Sequence, residues 1–160
     1  VRFPVEMLPV VQVGAAGLQL LLALLVTLPF MLWRGGLHWA VLLLPLYLLP
    51  LLLYVLALGW LLGALSVYLR DIGHLAPSFS SLLLFLTPIF YPASMVPASL
   101  RWMVDLNPLA WAAEAARSVL LNGTAAPWEG WGMHLVVSCT LATMGWAFFQ
   151  RVKPGFADVL

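Results

Sequence analysis

The sequence is short of everything a water-soluble protein relies on. Charged residues make up 8% of the chain against 64% hydrophobic ones, where soluble domains carry about 25% and 45–50%. So little charge leaves no way to cover the apolar surface in water, and lipid is the solvent that removes the difficulty. Lysine occurs once, as Lys153, followed by Pro154. A phosphate-binding loop of the form G-x-x-x-x-G-K-[ST] is therefore excluded. The formal net charge of +1 leaves no basic stripe for nucleic acid. The one cysteine, Cys139, excludes an internal disulfide. His38, His74 and His134 make no H-x-x-x-H or H-E-x-x-H pair, so each is expected to be an interfacial histidine and no metal site is expected. The chain begins on Val1 rather than Met, which fits a fragment. Its first apolar run is too long for a signal-peptide h-region.

Long apolar runs are what the sequence has. A spanning helix needs about 20 apolar residues. The first run extends from about Met7 to Trp33, between Glu6 and Arg34. The second goes from about His38 to Leu69 and stops at Arg70-Asp71. At roughly 30 residues it exceeds one bilayer thickness, which predicts a tilted helix kinked at Pro45 or Pro50. A third is expected to start near Pro77, a favourable first-turn residue, and to reach Thr87-Pro88. A last run goes from Trp131 to Phe149 and is closed by Arg151 and Lys153. Trp33, Trp39, Tyr68, Trp128 and Trp131 lie near these ends, where amphipathic rings favour the headgroup level. The fold class is thus an all-α integral membrane protein, residues 1–160 forming one domain of about four spans.

Between the last two runs the pattern changes. Pro88, Pro92 and Pro97 break the third helix in succession. Ser99 is placed to cap a short helix over Leu100 to Leu106. Asn107 caps a second, with Pro108 in its first turn and Asn122-Gly123 as its stop. That second helix has about 14 residues, near 21 Å, too short for a hydrocarbon core of about 30 Å. It carries Glu114 and Arg117 three apart on one face, expensive in hydrocarbon unless paired or wetted. A helical hairpin that re-enters the membrane, or lies on its surface, fits this segment. The Glu114–Arg117 pair reads equally well as a functional gate element and as a structural pair that seats the helix.

Two further features are weighed on the residues alone. Gly59 and Gly63 form a G-x-x-x-G on the second run, which lets helix backbones approach closely, in this chain or against a second copy. Arg70 and Asp71 read as the end of a span and a tight loop, although Asp71 and His74 also have the helical spacing an acid–base pair would need. Charge position is nearly silent on orientation. With four spans, Arg2, Arg70, Arg151 and Lys153 share one side and Arg34, Arg101 and Arg117 the other, a narrow vote for cytoplasmic termini.

The order of these marks is more specific than any one of them. Arg70-Asp71, then Thr87-Pro88-Ile89-Phe90-Tyr91-Pro92, Val96-Pro97, Leu106-Asn107-Pro108-Leu109, Glu114, Arg117 and Gly155-Phe156-Ala157-Asp158-Val159 follow one another. The series resembles the ABC-2 type permeases that export polysaccharides: the O-antigen, capsule and teichoic-acid transporters. Thr87 stands where those permeases usually carry serine. The resemblance implies a six-helix subunit of which the N-terminal amphipathic helix and first two spans are absent here. It implies a homodimer in the bacterial inner membrane, termini cytoplasmic, bound to a separate ABC ATPase that holds the ATP, with no cofactor in the permease and no catalytic residue. It maps re-entrant gate helices onto Ser99–Leu106 and Asn107–Leu121, with Asn107, Pro108, Glu114 and Arg117 as their marks. A glycan path wants aromatic faces and hydroxyls, and Ser78, Phe79, Ser80, Ser81, Phe85, Thr87 and Tyr91 are the candidate lining. Two rival functions are an ABC-2 exporter of drugs or lipids and an intramembrane transferase using Asp71, His74 or Glu114. The last needs groups converging at one depth, which the expected topology denies it.

Overall fold

A computed structural model describes residues 4–34, 38–69, 71–91 and 95–158. Six α-helices follow one another: α1 (Met7–Arg34), α2 (Leu44–Tyr68), α3 (Asp71–Leu86), α4 (Arg101–Asp105), α5 (Pro108–Arg117) and α6 (Trp128–Val152). Short 3-10 turns cover Trp39–Leu43, Ala98–Leu100 and Lys153–Asp158, and a π-helical turn, Ser118–Asn122, continues α5. Among the described residues there is no strand. Three segments of the described residues are long and apolar enough to cross a membrane: Met7–Trp33, Trp39–Tyr68 and Trp128–Phe156. The third expected span, α3, has 16 residues, about 24 Å of helix.

The core is the pairing of α2 with α6, and it is made by small residues. A Cβ on Gly145 would lie 2.8 Å from the Ala57 carbonyl oxygen; with hydrogen there, the backbones close up. Ala57, Trp60, Ala64, Ala142, Phe149 and Phe156 fill the end near the chain termini. Toward the opposite end Ala40, Leu44, Tyr47 and Leu48 pack on Ala112, Ala115 and Val119 of α5 and its π turn. The small side chains of Ala112 and Ala115 let α5 pack closely on α2.

Helix α1 is tied down at its start. Trp60 donates its indole N–H to the Glu6 carbonyl at 3.1 Å, and Lys153 reaches both Glu6 carboxylate oxygens at 2.8 and 2.9 Å. The Tyr68 hydroxyl donates to the Val152 carbonyl at 3.3 Å. The start of α1, the end of α2 and the end of α6 therefore meet at one end of the bundle.

Local structure departs from expectation in three places. Helix α3 begins at Asp71 and carries Pro77 inside it, because the acidic Asp71 suits the positive end of the helix dipole. Ser99 does not cap a helix. Pro97 starts a 3-10 turn, with Leu100 N–H bonded to its carbonyl at 2.9 Å, and α4 follows from Leu100 with no side-chain cap. Helix α6 starts at Trp128 rather than Trp131, after the extended Pro127 and with Glu129 in its first turn. In the second run, helix type changes from 3-10 to α just before Pro45, while Pro50 sits within α2. The stop at Gly123 is as expected: its φ of +65° is the left-handed turn glycine adopts freely.

Candidate functional site: the docked hairpin

Three sequence marks that lie far apart in the chain meet where α3 ends. Pro88 has no N–H to continue the helix, so the chain breaks there. Thr87 holds the last turn, its N–H and its hydroxyl both donating to the Leu83 carbonyl at 3.0 and 2.7 Å. Asn107 works in two directions. Its side-chain oxygen accepts the Leu109 N–H at 3.0 Å, capping α5 ahead of Pro108, and its amide donates to Thr87 Oγ1 at 3.0 Å. Thr87 and Pro88 are buried by this contact.

Arg117 completes the junction from the other end of α5. One guanidinium nitrogen donates to Glu114. The other donates to the Pro88 and Ile89 carbonyls at 3.3 and 3.2 Å, just beyond the end of α3. Glu114 is about half exposed and Arg117 a quarter exposed, so the pair is neither sealed nor fully solvated. A cavity of about 660 Å³ borders the same guanidinium, walled by Thr27, Phe30 and Met31 of α1 with Ile89 and Leu120. The break after α3 and helix α5 are thus joined, stitched by Asn107 and Arg117.

The other expected residues fall in different places. Ser78, Phe79, Ser80, Ser81 and Phe85 are exposed on α3, with Ser80 and Ser81 donating back to the Ala76 and Pro77 carbonyls at 2.9 and 3.1 Å. Tyr91 is partly buried, and Thr87 is buried with its hydroxyl against Asn107. Arg70 and Pro92 lie outside the described residues. Asp71 and His74 are exposed at the start of α3, and Glu114 sits at the far end, about 24 Å of helix away. No transferase constellation forms from them, and no cluster of metal-binding groups occurs among the described residues. A Cβ on Gly59 would lie 2.9 Å from Pro9 Cβ, while one on Gly63 would meet nothing within 4 Å.

Two features were not legible in advance. Lys153 and Glu6 form an ion pair, and hydrogen bonding from the lysine holds the Glu6 carboxyl below its ordinary range. Glu6 and Lys153 flank the first and last apolar runs, which is the signal that would have paired them. His134 is not interfacial but 3% exposed. It lies in the second turn of α6, where Tyr54 of α2 and Trp111 of α5 cover it. Its Nδ1 is 3.3 Å from the Tyr54 hydroxyl and its ring centroid 5.2 Å from that of Trp111.

Long apolar helices closed by a broken, internally bonded hairpin define a multi-pass helical membrane protein. The model of the family described as ABC-2 type transporter matches residues 5–121, and the chain belongs to that family. It is also similar to O-antigen export system permease proteins RfbA. Two from Klebsiella pneumoniae are 26% and 25% identical, each aligned over 99% of this chain and 61% of the relative. One from Myxococcus xanthus is 28% identical over 99% of this chain and 62% of its own length. The chain therefore spans about three fifths of the curated relatives it matches.

Proposed function

We infer that this chain belongs to the membrane-spanning subunit of an ATP-driven exporter that moves a polysaccharide or lipid-linked glycan. The observation that carries this reading is the similarity to O-antigen export permeases along 99% of the chain. With no phosphate-binding loop in this sequence, a separate ABC ATPase supplies the ATP hydrolysis and a second copy of the permease completes the path. The exposed α3 face with Ser78, Phe79, Ser80, Ser81 and Phe85 is the proposed glycan-facing surface, and the hairpin is the proposed gate at its exit.

The same reading makes α3 a fourth span. The ends of α2 and α6 meet, and α6 is long enough to cross. Both observations support a return to the opposite end before α6 begins, with α3 and the 87–91 break as the proposed returning segment. Cytoplasmic termini then put His74 inside and Ala125 outside. The test of function is complementation. A cell lacking its own glycan-export permease should regain surface glycan with the full-length protein and its ATPase, and with neither alone. Restored drug or lipid efflux with no surface glycan would replace the cargo.

A further inference from the structure

The cavity of about 660 Å³ beside Arg117 falls within the range of pockets that hold small organic ligands. Its walls come from separate stretches of chain: Phe30 and Met31 of α1, His38, Ile89 of the break, and Arg117 and Leu120 from the α5 side. Phe30 and Met31 lie in the last turns of α1, which ends at Arg34. Trp33 and Trp39, close to either side of that end in sequence, are exposed. Amphipathic rings at such an end mark the headgroup level. The cavity therefore lies where headgroups meet acyl chains.

Its polar groups are few. Arg117 bonds to Glu114 and to two carbonyls, and a guanidinium carries five N–H donors, more than these three bonds engage. His38 is exposed, and its ring rests on Gly123, where a Cβ would run into it. Glu114 does not wall the cavity, but it is bonded to a residue that does and is about half exposed. Charge decides among the occupants. A soluble phosphate ion gains nothing from walls of Phe30, Met31 and Leu120. A diphosphate brings more negative charge than one guanidinium balances, and the Glu114 carboxylate repels it. A single phosphodiester that carries its own ammonium matches the Arg117–Glu114 pair charge for charge.

We propose that this cavity is a site for an ethanolamine phospholipid, with its phosphate on Arg117 and His38, its ammonium on Glu114 and its acyl chains along Phe30, Met31 and Leu120. The site needs only the membrane setting of α1 and α5, and it is independent of the cargo that the protein moves.

The test uses the full-length permease with its ATPase, purified in mild detergent. It is given equal amounts of a phosphatidylethanolamine, a phosphatidylcholine and a phosphatidylglycerol with the same chains, and native mass spectrometry counts the lipid retained. The ethanolamine lipid should be kept about fivefold over each of the others, the scale of one partly exposed charge pair. Ala113 also lines the cavity, so Ala113→Leu fills it and should remove the preference at an unchanged melting midpoint. Glu114→Gln takes away the partner of the ammonium and leaves the guanidinium charge unbalanced, which should turn the preference to phosphatidylglycerol. A pair that served packing alone would not reorder the lipids. Equal retention of the three lipids by wild type overturns the proposal, as does a preference that survives in a folded Ala113→Leu protein. If Ala113→Leu does not fold, the Glu114→Gln reversal decides, and an unchanged order there overturns the site. A lipid diphosphate that displaces the ethanolamine lipid would overturn the charge match as well.

Discussion

Asn107 donates its side-chain amide to Thr87 Oγ1 at 3.0 Å, joining the first residue of the α5 cap to the last turn of α3 across 20 positions of chain. The same side chain caps α5 through Leu109 N–H, so one residue sets both where α5 begins and where it sits. Asn107→Ala should lower stability by about 1–2 kcal/mol, the range for losing an N-cap. Asn107→Asp keeps an acceptor for Leu109 and loses the donor to Thr87, and should fall between the two. Melting midpoints of the purified protein give the order, and equal loss in both variants would mean that the cap contributes nothing.

The Glu114–Arg117 pair is asymmetric. Among the described residues Glu114 bonds only to Arg117, whereas Arg117 also serves the Pro88 and Ile89 carbonyls. Glu114→Ala should therefore cost at most about 1 kcal/mol, as a partly exposed pair does. Arg117→Ala should cost about 2–3 kcal/mol, since charged hydrogen bonds to two backbone carbonyls are lost with the ion pair. In the double variant the Glu114 change should add nothing to the Arg117 change. Equal single effects would show that the carbonyl bonds carry no weight.

The two glycines of the second run should part company. Gly59→Ala places a Cβ 2.9 Å from Pro9, and overpacking of this kind costs about 1–3 kcal/mol. Gly63→Ala meets open space in this chain and should be neutral, or stabilising by up to about 1 kcal/mol through helix propensity. A Gly63→Ala protein that keeps its fold but loses its oligomeric state by size-exclusion chromatography would place Gly63 at a contact with a second chain.

The tie between the termini should depend on pH in one direction. The Lys153 hydrogen bond lowers the Glu6 pKa from its ordinary 4.5, so the folded protein binds that proton more weakly than the unfolded chain. The stabilisation is complete above about pH 4.5 and is lost as pH falls through the lower folded value. Wild type should melt higher than Glu6→Gln near neutrality, and the gap should close on acidification through the lowered Glu6 pKa. A gap that stays constant would mean that the carboxylate charge is not what Lys153 recognises.

Orientation is open to direct labelling. In a Cys139→Ala background, cysteines at His74 and Ala125 should react oppositely toward an impermeant thiol reagent in intact cells. Labelling at 125 and protection at 74 is the expected outcome, and the reverse would invert the proposed topology.

The sequence by itself determined the class of this protein, its family and most of its segment types. Apolar runs interrupted by so few charges have one solvent in which they are stable, and that inference needs no partner residue. The cap at Asn107, the proline after it and the stop at Gly123 were legible because they act within a few residues. Starts were less secure: Asp71 outweighed Pro77, and Pro97 rather than Ser99 began the turn before α4, since competing local signals are settled by what packs nearby. Only the tertiary structure decided that Thr87, Asn107 and Arg117 belong to one junction, that Glu6 meets Lys153, and that His134 is buried under Trp111. Each joins residues from helices whose packing angle and register no local pattern encodes. In an apolar chain almost every side chain suits burial against protein or against lipid, so the few polar contacts that choose between them appear only once the helices are docked.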